Sequence, residues 1–134
     1  KVKISFVGRL SMFPKDMQKA MKEVMEATKD YNKYKLNLAL AYGSRSELVD
    51  AFKKIIKKGI KEIDENIIQE NLYVPDDVDI LIRPGGEKRL SNFLLWQNSY
   101  AEIFFIDKLW PEFEKEDLIK IIDEFNRRER RFGK

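Results

Sequence analysis

The sequence predicts an α/β fold, a mostly parallel central sheet flanked by helices on both faces, in a single domain spanning residues 1–134. Two observations predict it. Short apolar runs of strand length alternate with longer stretches whose apolar residues recur at i, i+3 and i+4, so each helix reads as the crossover between neighbouring parallel strands. A hydrophobic content of 43% over 134 residues suffices for one core and leaves no comfortable room for a second.

The elements follow in order. Val2, Ile4 and Phe6 alternate and run into Val7-Gly8, which makes a strand close to the start of the chain. Met17, Ala20, Met21, Val24, Met25 and Thr28 share one helical face, so residues 14–31 form an amphipathic helix opened by Pro14, with the methionine stripe packed in the core. Leu36 to Ala41 is a second strand, ended by Tyr42-Gly43. Leu48, Val49, Phe52, Ile55 and Ile56 mark the next helix; its lysines 53, 54, 57 and 58 form a solvated face and Gly59 stops it. Asp64 caps a short helix through Glu70, Val78 to Ile82 is a third strand, and Ser91 is the expected N-cap of a helix over Phe93-Leu94-Leu95-Trp96. Ile103-Phe104-Phe105 is a fourth strand, and Leu118, Ile121, Ile122 and Phe125 place residues 114–131 on a terminal helix. Trp96 and Trp110 sit in apolar surroundings and are expected in the core.

Composition removes several classes of chemistry. The chain has no Cys and no His, which excludes disulfides, thiolate metal sites, cysteine nucleophiles and Ser-His-Asp triads. Any metal must sit on oxygen ligands, which favours magnesium or calcium. The net charge of +3 permits an anionic ligand without demanding nucleic acid. The apolar runs fall short of a membrane span and the first residues lack a signal-peptide pattern, so the expected location is cytoplasmic, with work at a membrane surface left open. The 37% charged content, rich in Lys and Glu, suits a thermophile's surface and a Lys-rich mesophile's equally.

The densest chemistry lies between residues 83 and 102. Arg83 and Arg89 flank a Pro-Gly-Gly turn, and a helix starting at Ser91 would aim free backbone N–H groups at whatever the arginines hold. Guanidinium groups grip phosphate oxygens in bidentate fashion, and charge-assisted hydrogen bonds of about 1.5–3 kcal/mol each suffice for a diphosphate. The plainer alternative is a surface turn with two solvated arginines. Glu102, at the edge of an Ile and Phe strand, needs a cation, an arginine or water beside it. Ligands of parallel sheets gather beyond the carboxyl ends of the strands, where Tyr42-Gly43-Ser44-Arg45 and Arg83-Pro84-Gly85-Gly86-Glu87 both fall. The run Arg127 to Arg131 reads either as favourable charge at a helix C-terminus or as a tail that reaches a phosphate.

Four ordered segments resemble the C-terminal part of the cis-prenyltransferases, the undecaprenyl diphosphate synthase family. They are Leu38 to Arg45; Asp79 to Glu87; Arg89-Leu90-Ser91-Asn92-Phe93-Leu94-Leu95-Trp96-Gln97 with Tyr100-Ala101-Glu102; and Leu109-Trp110-Pro111-Glu112-Phe113 with Arg130-Arg131-Phe132-Gly133. The resemblance implies an incomplete synthase fold in which Arg83, Arg89 and Ser91 bind the diphosphate of isopentenyl diphosphate. It also implies that Glu87 and Asn92 line that site as catalytic residues, that Glu102 helps to hold Mg2+, and that Arg131 and Gly133 reach the neighbouring subunit's site in a homodimer. The implied reaction adds isopentenyl diphosphate units to an allylic prenyl diphosphate, giving a long polyprenyl diphosphate, a carrier-lipid precursor. Membrane-surface contact would accompany product release.

Departures from the family pattern bear on that expectation. The family's N-terminal phosphate loop, with its Asp-Gly-Asn-Gly-Arg core and catalytic aspartate, has no match in these residues, so the chain is expected to carry the isopentenyl diphosphate half-site and to be inactive alone. Pro84 stands where Thr is common and Lys88 where bacterial members often have His. Two rival readings are a noncatalytic partner subunit of a heteromeric synthase, disfavoured by the retained Arg83 and Arg89, and a basic phosphate- or nucleic-acid-binding module. The last lacks aromatic interleaving along its basic run, so nucleic acid is not an expected partner.

Overall fold

The computed structural model of the chain describes residues 1–129, so the tail residues Arg131 and Gly133 lie outside the described residues. The chain divides into two compact units, Lys1–Pro75 and Asp76–Lys134. All four strands are parallel to their partners, and they form two ladders of two strands rather than one.

In the first unit, β1 (Val2–Val7) pairs in parallel with β2 (Tyr34–Ala39), from Val2 opposite Tyr34 to Val7 opposite Ala39. The crossover between them is α1 (Lys15–Thr28), with Pro14 as its N-cap, where a missing N–H costs nothing. The helix ends at Thr28, earlier than periodicity predicts. There the Thr28 hydroxyl donates to the Val24 carbonyl (2.9 Å) and accepts from the Ile4 N–H (3.1 Å), which fastens the helix end to β1. Gly8 closes the other end of the ladder, just past β1. Its φ is +120° and a Cβ there would lie 2.0 Å from the Leu40 carbonyl oxygen, so only glycine lets the two strand ends approach.

Two helices follow, α2 (Ser44–Lys57) and α3 (Glu65–Asn71), packed on each other. Left-handed Gly59 (φ +70°) lies just past the end of α2, and the Asp64 carboxylate caps α3 by accepting from the Ile67 N–H at 2.8 Å. The core holds Met21, Ala51, Ile55, Leu72 and Val74. Two expectations change here. Of the methionine stripe only Met21 is buried, while Met17 is exposed. Lys54 and Lys58 are not merely solvated: they donate to the Asn71 carbonyl (3.1 Å) and the Asn71 side chain (2.7 Å) and so tie α2 to the end of α3. In the first ladder α1 packs on β1, and Tyr34, Leu36 and Leu38 of β2 are exposed.

In the second unit, β3 (Ile80–Pro84) pairs in parallel with β4 (Glu102–Ile106), and α4 (Lys115–Arg127) follows. Glu114 and Asp117 open α4 as a capping box, the Glu114 N–H donating to Asp117 at 2.9 Å. Arg128 leaves the helix in extended backbone (φ −76°, ψ 137°), so α4 is shorter than the expected 114–131. Leu81, Phe104 and Ile121 form the core, with buried Gln97 and Asn98 beside them. Trp110 is 72% exposed and stacks on Phe113, contrary to the expectation of a core position.

The helix expected from Ser91 is absent: residues 91–100 form successive turns. Ser91, Asn92 and Leu94 all have positive φ (48°, 63° and 45°), which a right-handed helix cannot contain. Ser91 therefore caps nothing. Among the described residues, no helix is long and apolar enough to cross a membrane.

Candidate functional site

Arg83, near the end of β3, donates from Nη1 to the Ser91 hydroxyl (3.0 Å) and to the Arg89 carbonyl. This one guanidinium folds the segment 89–91 back over the strand end. The result is a cavity of about 360 Å³ lined by Leu81, Ile82, Arg83, Arg89, Leu90, Ser91 and Phe93. The two arginines and the serine singled out by spacing thus share one concavity.

The supporting turn is held differently from expectation. Gly85 and Gly86 both have positive φ (102° and 74°), and their N–H groups donate to the carbonyls of Lys108 (2.8 Å) and Ile106 (2.9 Å). Those donors fix the turn to the end of β4 and are not aimed at a ligand. An anion held here would meet side chains rather than a helix N-terminus. Glu87 is paired with the Arg89 guanidinium, both half-exposed, so the carboxylate orients that arginine. Asn92 is the neighbour of Ser91 and has left-handed backbone (φ 63°), but it does not line the cavity, whereas Phe93 does.

Glu102 lies elsewhere. Its carboxylate accepts from Arg128 Nη1 at 2.6 Å, and the same guanidinium pairs with Glu124 and lies 4.3 Å from the Phe104 ring centroid. An arginine fills the need foreseen for a buried-edge glutamate. The two carboxylates push the Arg128 pKa up from its ordinary value, Glu102 most of all. Among the described residues, no three acidic side chains converge to hold a metal ion. Magnesium is commonly held by one or two carboxylates together with substrate phosphates; Glu102 is engaged by Arg128, so a metal ion bound there would compete with that ion pair.

Sequence reasoning missed a third cluster, in the first unit. Glu47, in the first turn of α2, is fully buried and accepts from the backbone N–H groups of Tyr73 (2.8 Å) and Val74 (3.2 Å) and from the Tyr42 hydroxyl. One turn on, Asp50 accepts from Arg9 (3.2 Å) and from the Tyr73 hydroxyl. The Tyr73 hydroxyl and then Arg9 hold the Asp50 carboxyl below its ordinary pKa, while burial and Asp50 push Tyr73 up to about 12. The only signal in the sequence was the Tyr42 to Arg45 segment at a strand end.

The fold is thus two parallel α/β units, and Arg83, Arg89 and Ser91 line one cavity. The sequence profile of the prenyltransferase family described as "Putative undecaprenyl diphosphate synthase" matches residues 1–133, and the chain belongs to that family. It is 52% identical to the isoprenyl transferase of Rickettsia bellii, covering 99% of this chain and 60% of that protein. It is 51% identical to the tritrans,polycis-undecaprenyl-diphosphate synthase (geranylgeranyl-diphosphate specific) of Pyrococcus horikoshii, covering 99% of this chain and 53% of that protein. Among solved structures, a probable undecaprenyl diphosphate synthase from Campylobacter jejuni superposes with a TM-score of 0.94 at 44% identity, covering 99% of this chain and 64% of that one. Lavandulyl diphosphate synthase from Lavandula x intermedia, solved with dimethylallyl diphosphate, gives 0.90 at 33% identity over 99% and 61% of the two chains. The chain therefore spans between half and two thirds of the proteins it matches.

Proposed function

We propose that this chain is the C-terminal portion of a cis-prenyltransferase that condenses isopentenyl diphosphate onto an allylic prenyl diphosphate, and that it supplies the isopentenyl diphosphate half-site. The carrying observation is the cavity at which Arg83, Arg89 and Ser91 meet. A diphosphate seated there meets two guanidinium groups and a hydroxyl, which can give it charge-assisted hydrogen bonds. Glu87 holds the Arg89 fork in place through its ion pair, and Asn92 follows Ser91 directly in the chain. The chain thereby binds and orients the nucleophilic substrate, whose alkene attacks the allylic carbon as that partner's diphosphate departs. Magnesium, when bound with Glu102 as one of its ligands, would neutralise diphosphate charge. The working form is a cytoplasmic homodimer whose product meets the membrane surface, with Arg131 and Gly133 reaching a neighbouring subunit.

The test is Arg89→Ala in the complete enzyme. Losing one charge-assisted phosphate contact of about 2–4 kcal/mol raises KM for isopentenyl diphosphate well over tenfold. An unchanged KM removes Arg89, and with it this reading, from the site.

A further inference from the structure

Residues 91–94 wall the arginine cavity with a backbone that few side chains tolerate. Ser91, Asn92 and Leu94 have φ of 48°, 63° and 45°, and a left-handed conformation at a residue other than glycine persists only where its surroundings hold it. Ser91 and Phe93 of this turn both line the cavity. Two clamps hold the segment. At its start, Arg83 Nη1 donates to the Arg89 carbonyl and to the Ser91 hydroxyl (3.0 Å). At its end, Asn98 donates twice, from its backbone N–H to the Leu94 carbonyl (2.9 Å) and from Nδ2 to the Phe93 carbonyl (3.0 Å).

The clamps differ in what a ligand does to them. Arg83 lines the cavity and its bonds are exposed, so an anion that draws on its guanidinium competes with the Ser91 and Arg89 contacts. Asn98 is buried and does not line the cavity, so its bonds lie out of an anion's reach. Its side chain also carries a cost that packing alone does not explain. Among the described residues, Asn98 Oδ1 is buried without a hydrogen-bond donor, and an unmet buried acceptor lowers stability. A leucine of similar shape would escape that cost but would bring no donor to the Phe93 carbonyl.

We propose that Asn98 is a positioning residue for isopentenyl diphosphate: its buried carboxamide holds the strained 91–94 turn so that Ser91 and Phe93 stay on the cavity wall while Arg83 engages the ligand. The inference rests on the diphosphate reading above. A wall already in place spares the ligand the ordering of the turn, so loss of the clamp falls on the binding of this one substrate and not on turnover once it is bound.

The experiment compares Asn98→Leu, Asn98→Ala and Arg89→Ala in the complete enzyme, by steady-state kinetics on both substrates and by urea unfolding. Asn98→Leu raises KM for isopentenyl diphosphate about tenfold and leaves kcat and KM for the allylic diphosphate within about twofold of wild type. It unfolds at no lower urea concentration than wild type, because the unmet acceptor is gone. Asn98→Ala guards against overpacking by leucine and gives the same split between the KM values, even where the cavity it opens lowers stability. A wild-type KM for isopentenyl diphosphate in either variant overturns the proposal. So does a parallel rise in both KM values, which a general loosening of the unit would produce. A wild-type KM for Arg89→Ala overturns the diphosphate reading itself, a separate failure.

Discussion

Removal of the Glu47 carboxylate tests whether a buried latch holds the first unit together. Glu47 is fully buried, and one carboxylate oxygen accepts from both the Tyr73 and Val74 N–H groups while the other accepts from Tyr42. Glu47→Ala deletes all three contacts. A buried donor deprived of its acceptor costs about 1–3 kcal/mol, and two backbone donors are affected, so the loss is about 2–6 kcal/mol. Against a domain stability of about 5–15 kcal/mol this is a large fraction. Glu47→Gln keeps an acceptor oxygen for the two N–H groups and should cost only about 1 kcal/mol. The assay is urea unfolding with linear extrapolation, followed by far-UV circular dichroism and the tyrosine near-UV bands, since both tryptophans lie beyond residue 75. Equal destabilisation by the two substitutions would refute the reasoning, because it would mean that the acceptor oxygen is not what matters.

Two further outcomes are expected. The Asp50 carboxyl titrates below its ordinary 3.8 in the folded chain, so its contribution is present above that value and is lost as pH falls through the lower folded one; Tyr73, raised to about 12, contributes fully below pH 10 and loses its contribution as pH climbs towards 12. Stability curves of Asp50→Asn and Tyr73→Phe should lack the acid and alkaline slopes respectively, and a wild-type-like slope in either would break the assignment. Gly8→Ala should fail to give native-like amide protection in β1 and β2, since its Cβ would sit 2.0 Å from the Leu40 carbonyl oxygen; normal protection would show that the strand ends can separate cheaply.

Much of this architecture was legible because local periodicity and burial agree. Three of the four α-helices show helical period in the sequence and the strands show as short apolar runs, and Asp64 and Gly59 mark their helix ends by ordinary capping chemistry. The arginine and serine triad was legible for another reason: Arg83 reaches its partners only six to eight residues away. The helix over residues 91–97 was misread because its apolar run imitates helical patterning, while the left-handed backbone at Ser91, Asn92 and Leu94 is imposed by the fold around it. Glu102 was open to three partners, and the choice of Arg128 depends on a contact 26 residues away that no local pattern encodes. Glu47 gave no signal, since an acidic residue in a first helical turn is commonplace.

The bare flank of β2 has a practical consequence. Tyr34, Leu36 and Leu38 face water in a row, and among the described residues no further strand extends the ladder beyond β2. A parallel strand left uncovered is a template that recruits other polypeptide. Expressed by itself, the chain should be sticky and prone to self-association at high concentration, and a charge placed at Leu36 should improve its solubility without touching the arginine cavity.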